Sequence, residues 1–527
     1  MSQTQSASTV SSLLHAFHCG EITRRSLLKS LAALGLAAPL GTMLADGRVS
    51  AQAAPAGELV ASLPRSLISL DPHGAQSVEE ATAVVNAHLL DTLTTRDFST
   101  GEIQPRLAES WTQTDETTWT FTLRAGLTFH DGAPFTSADV KASLDRVIEL
   151  AGPLAPLWAT VSATEAPDDA TFVIRTKQPD GTIPTSATLL YVTPARAATD
   201  DAFFENPVGL GPYKFVSWTR DSELVLEALP EHWDGPAGIS KLTFRDIPEV
   251  AARVTSLETG EIDFTYALPA DQLPGLRENS DLAIDSTPTY AYYFVWFNAS
   301  REPFTDPRVR QAMAYALDLD TIAADLLTDV GVRAQAPIPS TVFGFAAQTP
   351  YAYDPDKAKQ LLSDAGYPDG FSTRMIWVPD SGPQDRELVD TFIAYWDAVG
   401  ITVENGEMER AAWLEDLLAL NWDMDFQSNT VRTGDADFTL RRLYTSSANR
   451  TGYANPDLDK LLLDAAASSD QTARADLYAQ ACGIIWNDAV GIFPFDLLEN
   501  YVHSTRLQGF TAVPNVIPTF TKATVTE

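Results

Sequence analysis

Trp119-Thr120-Phe121-Thr122-Leu123-Arg124 alternates apolar and polar residues, the period of a strand with one face buried. Residues 290–298, YAYYFVWFN, are apolar on both faces and predict a strand in a sheet covered on both sides. Shortly after it, Asp306-Pro307 predicts a helix start, an N-cap followed by proline at the first helical position. Val309, Ala312, Met313, Ala316 and Leu317 then recur at helical spacing and form one stripe for burial. Asp354-Pro355 opens a second helix with Ala358, Leu361, Leu362 and Ala365 inward. Gly366 closes that helix and Pro368 prevents its continuation. Turn-bounded strands alternate with such helices along the chain, without low-complexity blocks or a fixed-period repeat, which predicts α/β architecture.

The first fifty residues follow a different pattern. Arg24, Arg25 and Lys29 precede an apolar run over 31–44, and Ala51-Gln52-Ala53 offers a small-residue cleavage site. A run of about 14 residues is short of the roughly 20 that span a bilayer, so the segment reads as an export signal ending at residue 53. Thr23-Arg24-Arg25-Ser26-Leu27-Leu28-Lys29 resembles a twin-arginine signal, which implies export of the folded chain. The expected location is the periplasm, in soluble form after cleavage.

Charge narrows the partners. The chain has a formal net charge of -34. Such an acidic chain repels phosphate backbones and anionic membranes, so nucleic acid is not an expected partner. Cys19 lies in the signal and Cys482 stands alone after it, so no intramolecular disulfide is expected. A hydrophobic content of 45% supplies a large core instead.

Four blocks, taken in order, closely resemble the extracellular solute-binding proteins that serve dipeptide, oligopeptide and nickel ABC transporters. They are PRLAESWTQTDETTWTFTLRAGLTFHDGAPFTSADVKASLDRV (105–147), NPVGLGPYKF (206–215) with LETGEIDF (257–264), FNASREPFTDPRVRQAMAYALD (297–318), and YDPDKAKQLLSDAGYPDGF (353–371) with GYANPDLDKLLLDAA (452–466). The resemblance implies an α/β, two-lobed periplasmic-binding-protein fold hinged by two crossing strands. The first lobe would take 54–90, 191–287 and 499–527, with 91–190 as an inserted subdomain. The second would take 288–498. It also implies capture of a small peptide or peptide-like solute, delivery to an inner-membrane permease with its cytoplasmic ATPase, a monomer, and no cofactor.

An exported hydrolase is the rival class. His73, His88, His130, His232 and His503 form no HExxH pair, and no G-x-S-x-G occurs. Asp423-x-Asp425 and Asp435-x-Asp437 lack the loop of a calcium site. Gly209-Leu210-Gly211 reads as a tight turn at an interlobe strand, and His130 as structural. Trp111, Trp119 and Trp486 read as core.

The segment 425–444, DFQSNTVRTGDADFTLRRLY, ends a strand in small polar residues, among them Asn429, a composition suited to a cleft wall. Arg432-Thr433-Gly434-Asp435 is similar to the Trp-Thr-Gly-Asp of dipeptide-binding relatives, which implies that Asp435 holds a ligand ammonium group. The same resemblance, counted back from Gly400, places Arg386 where an arginine pairs with the ligand carboxylate. Arg432 departs from the pattern by replacing an aromatic wall with a fixed cation. That fits a ligand with an additional carboxylate, such as an acidic or γ-glutamyl peptide or an opine. Other family ligands, oligosaccharides and nickel chelates, are the alternatives.

Overall fold

A computed structural model of the protein describes residues 54–379 and 382–526. The export signal, its arginine pair and its cleavage site lie outside these residues. Residues 55–527 form one compact unit. No helix among the described residues is long and apolar enough to cross a membrane.

The main sheet is built from β1 (Glu58–Leu63), β2 (Tyr213–Thr219), β3 (Glu223–Ala228), β4 (Lys241–Asp246), β5 (Phe264–Thr265), β6 (Leu282–Phe297), β7 (Phe371–Trp377), β8 (Ile401–Glu407), β9 (Met424–Thr430) and β10 (Phe495–Ser504). They lie in the order β2-β3-β4-β1-β5-β10-β6-β9-β7-β8. Parallel neighbours such as β1 and β4, in register from Glu58↔Lys241 to Leu63↔Asp246, need crossover connections, which is the α/β pattern.

Two long antiparallel strands sit at the middle of this order and serve both lobes. The first half of β6 pairs with β10 from Leu282↔Ser504 to Pro288↔Leu498. After a register shift, its second half pairs with β9 from Ala291↔Thr430 to Phe297↔Met424. Sequence explains the division. The first half is half-exposed, whereas Tyr292, Tyr293, Phe294, Val295, Trp296 and Phe297 are all buried and supply apolar surface to both faces. The expected central strand is thus the second half of a 16-residue crossing strand.

One hydrophobic core, from Leu257 and Leu273 to Phe392 and Trp396, runs across both lobes, and each lobe has a further core. Leu59, Leu226, Phe244, Phe264 and Phe520 fill the first, and Phe294, Trp296, Leu440, Leu462 and Tyr478 are in the second. A separate core, with Trp119, Phe121, Leu144 and Phe172, sits under a four-stranded antiparallel sheet. Helix Ser137–Leu150 packs on that sheet and starts with a Thr136/Asp139 capping box.

The sequence expectations for the helices hold in detail. Helix Pro307–Tyr315 is capped by Asp306, whose Oδ1 accepts from the Arg308 amide at 2.8 Å. Helix Pro355–Asp364 is capped by Asp354, and Gly366 follows it at φ +95°. The Gly209-Leu210-Gly211 expectation needs correction. It leads into β2, at one end of the first lobe's part of the sheet and far from the crossing strands. Its glycines are there because backbone passes backbone: a Cβ on Gly209 would lie 2.0 Å from the Leu89 carbonyl oxygen. His130 stitches the same place, with Nδ1 accepting from the Gly209 amide at 3.2 Å and Nε2 2.8 Å from the Gly211 oxygen.

Candidate functional site

Where β9 ends, the chain makes a tight loop and starts helix Ala436–Tyr444. The Gly434 amide donates to Val431 O at 2.8 Å, and Gly434 has φ +63°. A Cβ there would fall 2.6 Å from the Tyr290 hydroxyl, so both conformation and space demand glycine. Thr433 Oγ1 accepts from the Asp435 amide at 3.3 Å. Asp435 caps the helix, its Oδ1 accepting from the Asp437 amide at 3.0 Å. The Arg-Thr-Gly-Asp phrase is therefore a loop and a cap as well as a wall.

Asp435 is 2% exposed and has an internal partner that the sequence did not reveal. Arg474, 0% exposed on helix Gln471–Asn487, donates Nη2 to Asp435 Oδ1 at 2.9 Å. The same nitrogen reaches the Tyr478 hydroxyl at 3.2 Å, and that hydroxyl donates to Asp437 at 3.3 Å. Asp437 is in turn paired with Arg441. The carboxylates hold the Arg474 guanidinium well above its ordinary pKa despite burial. Asp435 Oδ2 accepts no hydrogen bond among the described residues, and Asp435 borders two cavities. An anchor for an ammonium is thus confined to one oxygen of an already paired carboxylate.

Two other expected residues face elsewhere. Arg386 is exposed and forms a two-pronged pair with Glu407, with one contact at 2.7 Å, and its guanidinium lies 5.5 Å from the Trp377 ring centre. It borders none of the cavities described here. Counting back from Gly400 placed it in the cleft, but the helix Asp385–Asp397 carries it beside β8 instead. Asn429 is tied up in the second lobe, donating to Thr439 Oγ1 at 3.2 Å and accepting from Arg442 at 3.2 Å.

Arg432 and Thr433 border a cavity of about 290 Å³ walled from both lobes. Thr95, Arg96, Phe98 and Tyr191 stand on one side, Tyr290, Arg432 and Thr433 on the other. Around Arg96, Thr433 and Asp435 it abuts two further cavities, of about 650 and 270 Å³. Solvent reaches Arg432, yet enough protein surrounds it that desolvation lowers its pKa. Both hold for a side chain on the wall of a closed cleft. It makes no ion pair among the described residues. Beyond the loop, the Gly181 amide donates to Ala466 O at 2.7 Å, where the inserted subdomain meets the second lobe.

A mixed α/β chain with two crossing strands and an interlobe cleft invites comparison, and residues 102–451 match the bacterial extracellular solute-binding proteins, family 5 Middle. The chain belongs to this family. Family 5 proteins are the solute-binding components of ABC importers. A glutathione-binding protein, GsiB, from Pectobacterium atrosepticum is 30% identical over 442 residues, covering 80% of this chain and 85% of that one. HbpA2 from Haemophilus parasuis shares the fold with a TM-score of 0.81 at 23% identity, over 89% of this chain and all of that one. The periplasmic binding protein DppA from Helicobacter pylori, solved with the peptide STSA, has a TM-score of 0.74 at 25% identity, over 90% and 98% of the two chains.

Among family 5 features, the cleft wall from the inserted subdomain escaped the sequence reading. Arg96 and Phe98 lie on the hairpin formed by Thr94–Arg96 and Ile103–Pro105. The one local signal is strand alternation: Thr94 and Arg96 share a face, and both are buried. Trp111 also differs from expectation. It is half-buried rather than core, and with Trp119 it borders the 650 Å³ cavity.

Proposed function

We propose that this family 5 protein captures a short γ-glutamyl peptide carrying two carboxylates, with glutathione as the type ligand. The observation that carries this reading is Arg432, a cation with no ion pair among the described residues, on the cleft wall where dipeptide-binding relatives are expected to carry an aromatic residue. A guanidinium in a low-dielectric cleft favours a carboxylate over an apolar side chain. The glutathione-binding GsiB relative supports the same ligand class. The ligand's ammonium group docks on Asp435 Oδ2, which Arg474 holds in place through Oδ1.

In this reading the first lobe comprises 54–90, 191–287 and 499–527, the inserted subdomain 91–190, and the second lobe 288–498. The chain is exported by its N-terminal signal, cleaved after Ala53, and works as a periplasmic monomer. It hands the ligand unchanged to a permease driven by a cytoplasmic ATPase.

Titration calorimetry tests the ligand. Reduced glutathione binds more tightly than dialanine, and Arg432→Trp reverses the order by removing a charge-assisted contact worth about 1.5–3 kcal/mol. Equal affinities for the two ligands in the wild type would overturn the reading. Export is tested separately: Arg24→Lys with Arg25→Lys leaves uncleaved precursor in the cytoplasm, and normal processing of that variant refutes the twin-arginine route.

A further inference from the structure

Arg96 ends the strand Thr94–Arg96, which pairs with Ile103–Pro105 in a hairpin of the inserted subdomain. It is 9% exposed, and Nη1 donates to the Gly101 carbonyl within its own hairpin. Its Nε and Nη2 are buried and have no hydrogen-bond partner among the described residues. Structural arginines elsewhere in the protein are treated differently. Arg310 donates from Nε, Nη1 and Nη2 to the carbonyls of Phe304, Asp488 and Ala489, and Arg253 donates from both Nη atoms to those of Ile247, Pro248 and Ala267, leaving only Nε unmet. Leaving donors of a buried guanidinium unmet is costly, so a group that meets them is expected in the adjoining space.

That space is the cleft. Arg96 borders both the 290 and the 650 Å³ cavities. Asp435 acts on it electrostatically from the second lobe, but no ion pair joins the two, and Asp435 is already bonded to Arg474. The charges on the wall of the 290 Å³ cavity do not balance. Arg106 is paired with Asp91 and Asp234, and Lys522 stands 4.0 Å from Asp234. With Arg96 and Arg432 this makes four cations against two carboxylates. Burial lowers the pKa of His232 and so disfavours its charged form.

We propose that Arg96 is a second carboxylate-reading residue, gripping the α-carboxylate of a γ-glutamyl head group from the first lobe while Arg432 reads the distal carboxylate from the second. The assignment rests on the γ-glutamyl reading above and adds the ligand's orientation. Arg96 and Asp435 both border the 650 Å³ cavity, so an amino-acid head group meets a cation for its carboxylate and an oxygen for its ammonium at one place. Arg432 borders the adjoining 290 Å³ cavity, with Asn515 and Ile517. Each lobe thus contributes one guanidinium to a shared cavity. A ligand with two carboxylates engages a guanidinium from each lobe and stabilises the closed form, whereas a ligand with one engages only one lobe.

The test uses calorimetry on the mature protein with reduced glutathione and with 4-aminobutanoyl-cysteinyl-glycine, which keeps the ammonium and lacks the α-carboxylate. The wild type binds glutathione at least thirtyfold more tightly. Arg96→Gln narrows the ratio below threefold, Arg432→Gln leaves it unchanged, and Arg96→Lys restores at least part of it. Circular dichroism confirms that each variant is folded. A wild-type ratio below threefold, or a wild-type ratio kept by Arg96→Gln, overturns the role of Arg96. A thermal-shift arm with glutarate, a bare dicarboxylate, separates the two readings. Stabilisation of the wild type by glutarate but not of Arg96→Gln, alongside no binding of glutathione, would remove the γ-glutamyl ligand and leave the two-arginine site standing. Glutathione binding with no response of Arg96 in either arm does the reverse.

Discussion

Removing the Asp435 carboxylate should damage the fold before it damages binding. Arg474 is fully buried and donates to Asp435, Tyr478, the Ala465 carbonyl and Gln471. In Asp435→Ala the charge stays buried without its carboxylate, which costs about 3–5 kcal/mol. The lost cap on helix Ala436–Tyr444 adds about 1 kcal/mol. Unfolding entropy for a chain of this length is about 1 kcal/mol per degree, so the melting midpoint should fall by about 4–6 °C. Pairing the change with Arg474→Met removes the stranded charge. Replacing a whole buried pair is near neutral, so the double variant should regain most of the loss and keep only that of the cap. Differential scanning calorimetry on the four proteins reads the coupling directly. Additive losses in the double variant, or a midpoint unchanged in Asp435→Ala, refute the pair. The same geometry revises the ligand energetics. Because Arg474 keeps Asp435 compensated, N-acetylating the ligand forfeits only a charge-assisted hydrogen bond, about 1.5–3 kcal/mol, or about one to two decades of affinity.

Burial raises the carboxyls of Asp425 and Asp496 to about 7 and that of Glu499, close to Glu80, to about 8. These groups hold protons when folded that they release when unfolded, so their stabilisation is complete below about pH 4 and fades as pH rises through 7–8. His73 and His88, pushed down to about 4, act oppositely, but only below 6.5. Between pH 6.5 and 8.5 stability should therefore drop by about 3 kcal/mol, and Glu499→Gln should remove about half of the slope. A flat melting profile across that window contradicts the burial of these carboxyls. Gly181→Ala places a Cβ 1.7 Å from the Ser468 carbonyl oxygen and should hold the lobes apart. Small-angle scattering should then show no contraction with ligand, and wild-type contraction would remove Gly181 from the closing surface. Arg386→Ala should leave ligand affinity within a factor of about two, since its partner is Glu407; a tenfold loss would return Arg386 to the site.

Local chemistry wrote much of the fold into the sequence. Asp306-Pro307 and Asp354-Pro355 start helices through contacts within three residues, so their reading needs no tertiary knowledge. YAYYFVWFN announces burial on both faces for the same reason. The site is different, because closure across the sheet defines it. Arg474 stands 39 residues beyond Asp435, on a helix whose pattern gives no hint that an arginine faces inward. Arg96 gains its role only when the second lobe covers its hairpin. Arg386 was misplaced by a loop-length count, and the structure spends it on Glu407.

The scarcity of cations makes the two cleft arginines informative. With 70 acidic side chains and 36 basic ones, a carboxylate is available to almost any arginine in this chain. Surface arginines take them freely, as Arg175 does with Glu165 and Arg220 with Glu205. Such exposed pairs contribute little to stability, so their presence reports availability more than energy. An arginine on the cleft wall that takes none of them as a partner stays available to a ligand. Arg432, open to solvent, and Arg96, 9% exposed, stand on opposite walls of one cavity and make no ion pair among the described residues, although Glu79 and Glu80 attract the first and Asp435 the second. The fold therefore keeps an unmet demand for negative charge at the point where its lobes close, and only a solute carrying that charge at the right separation meets it.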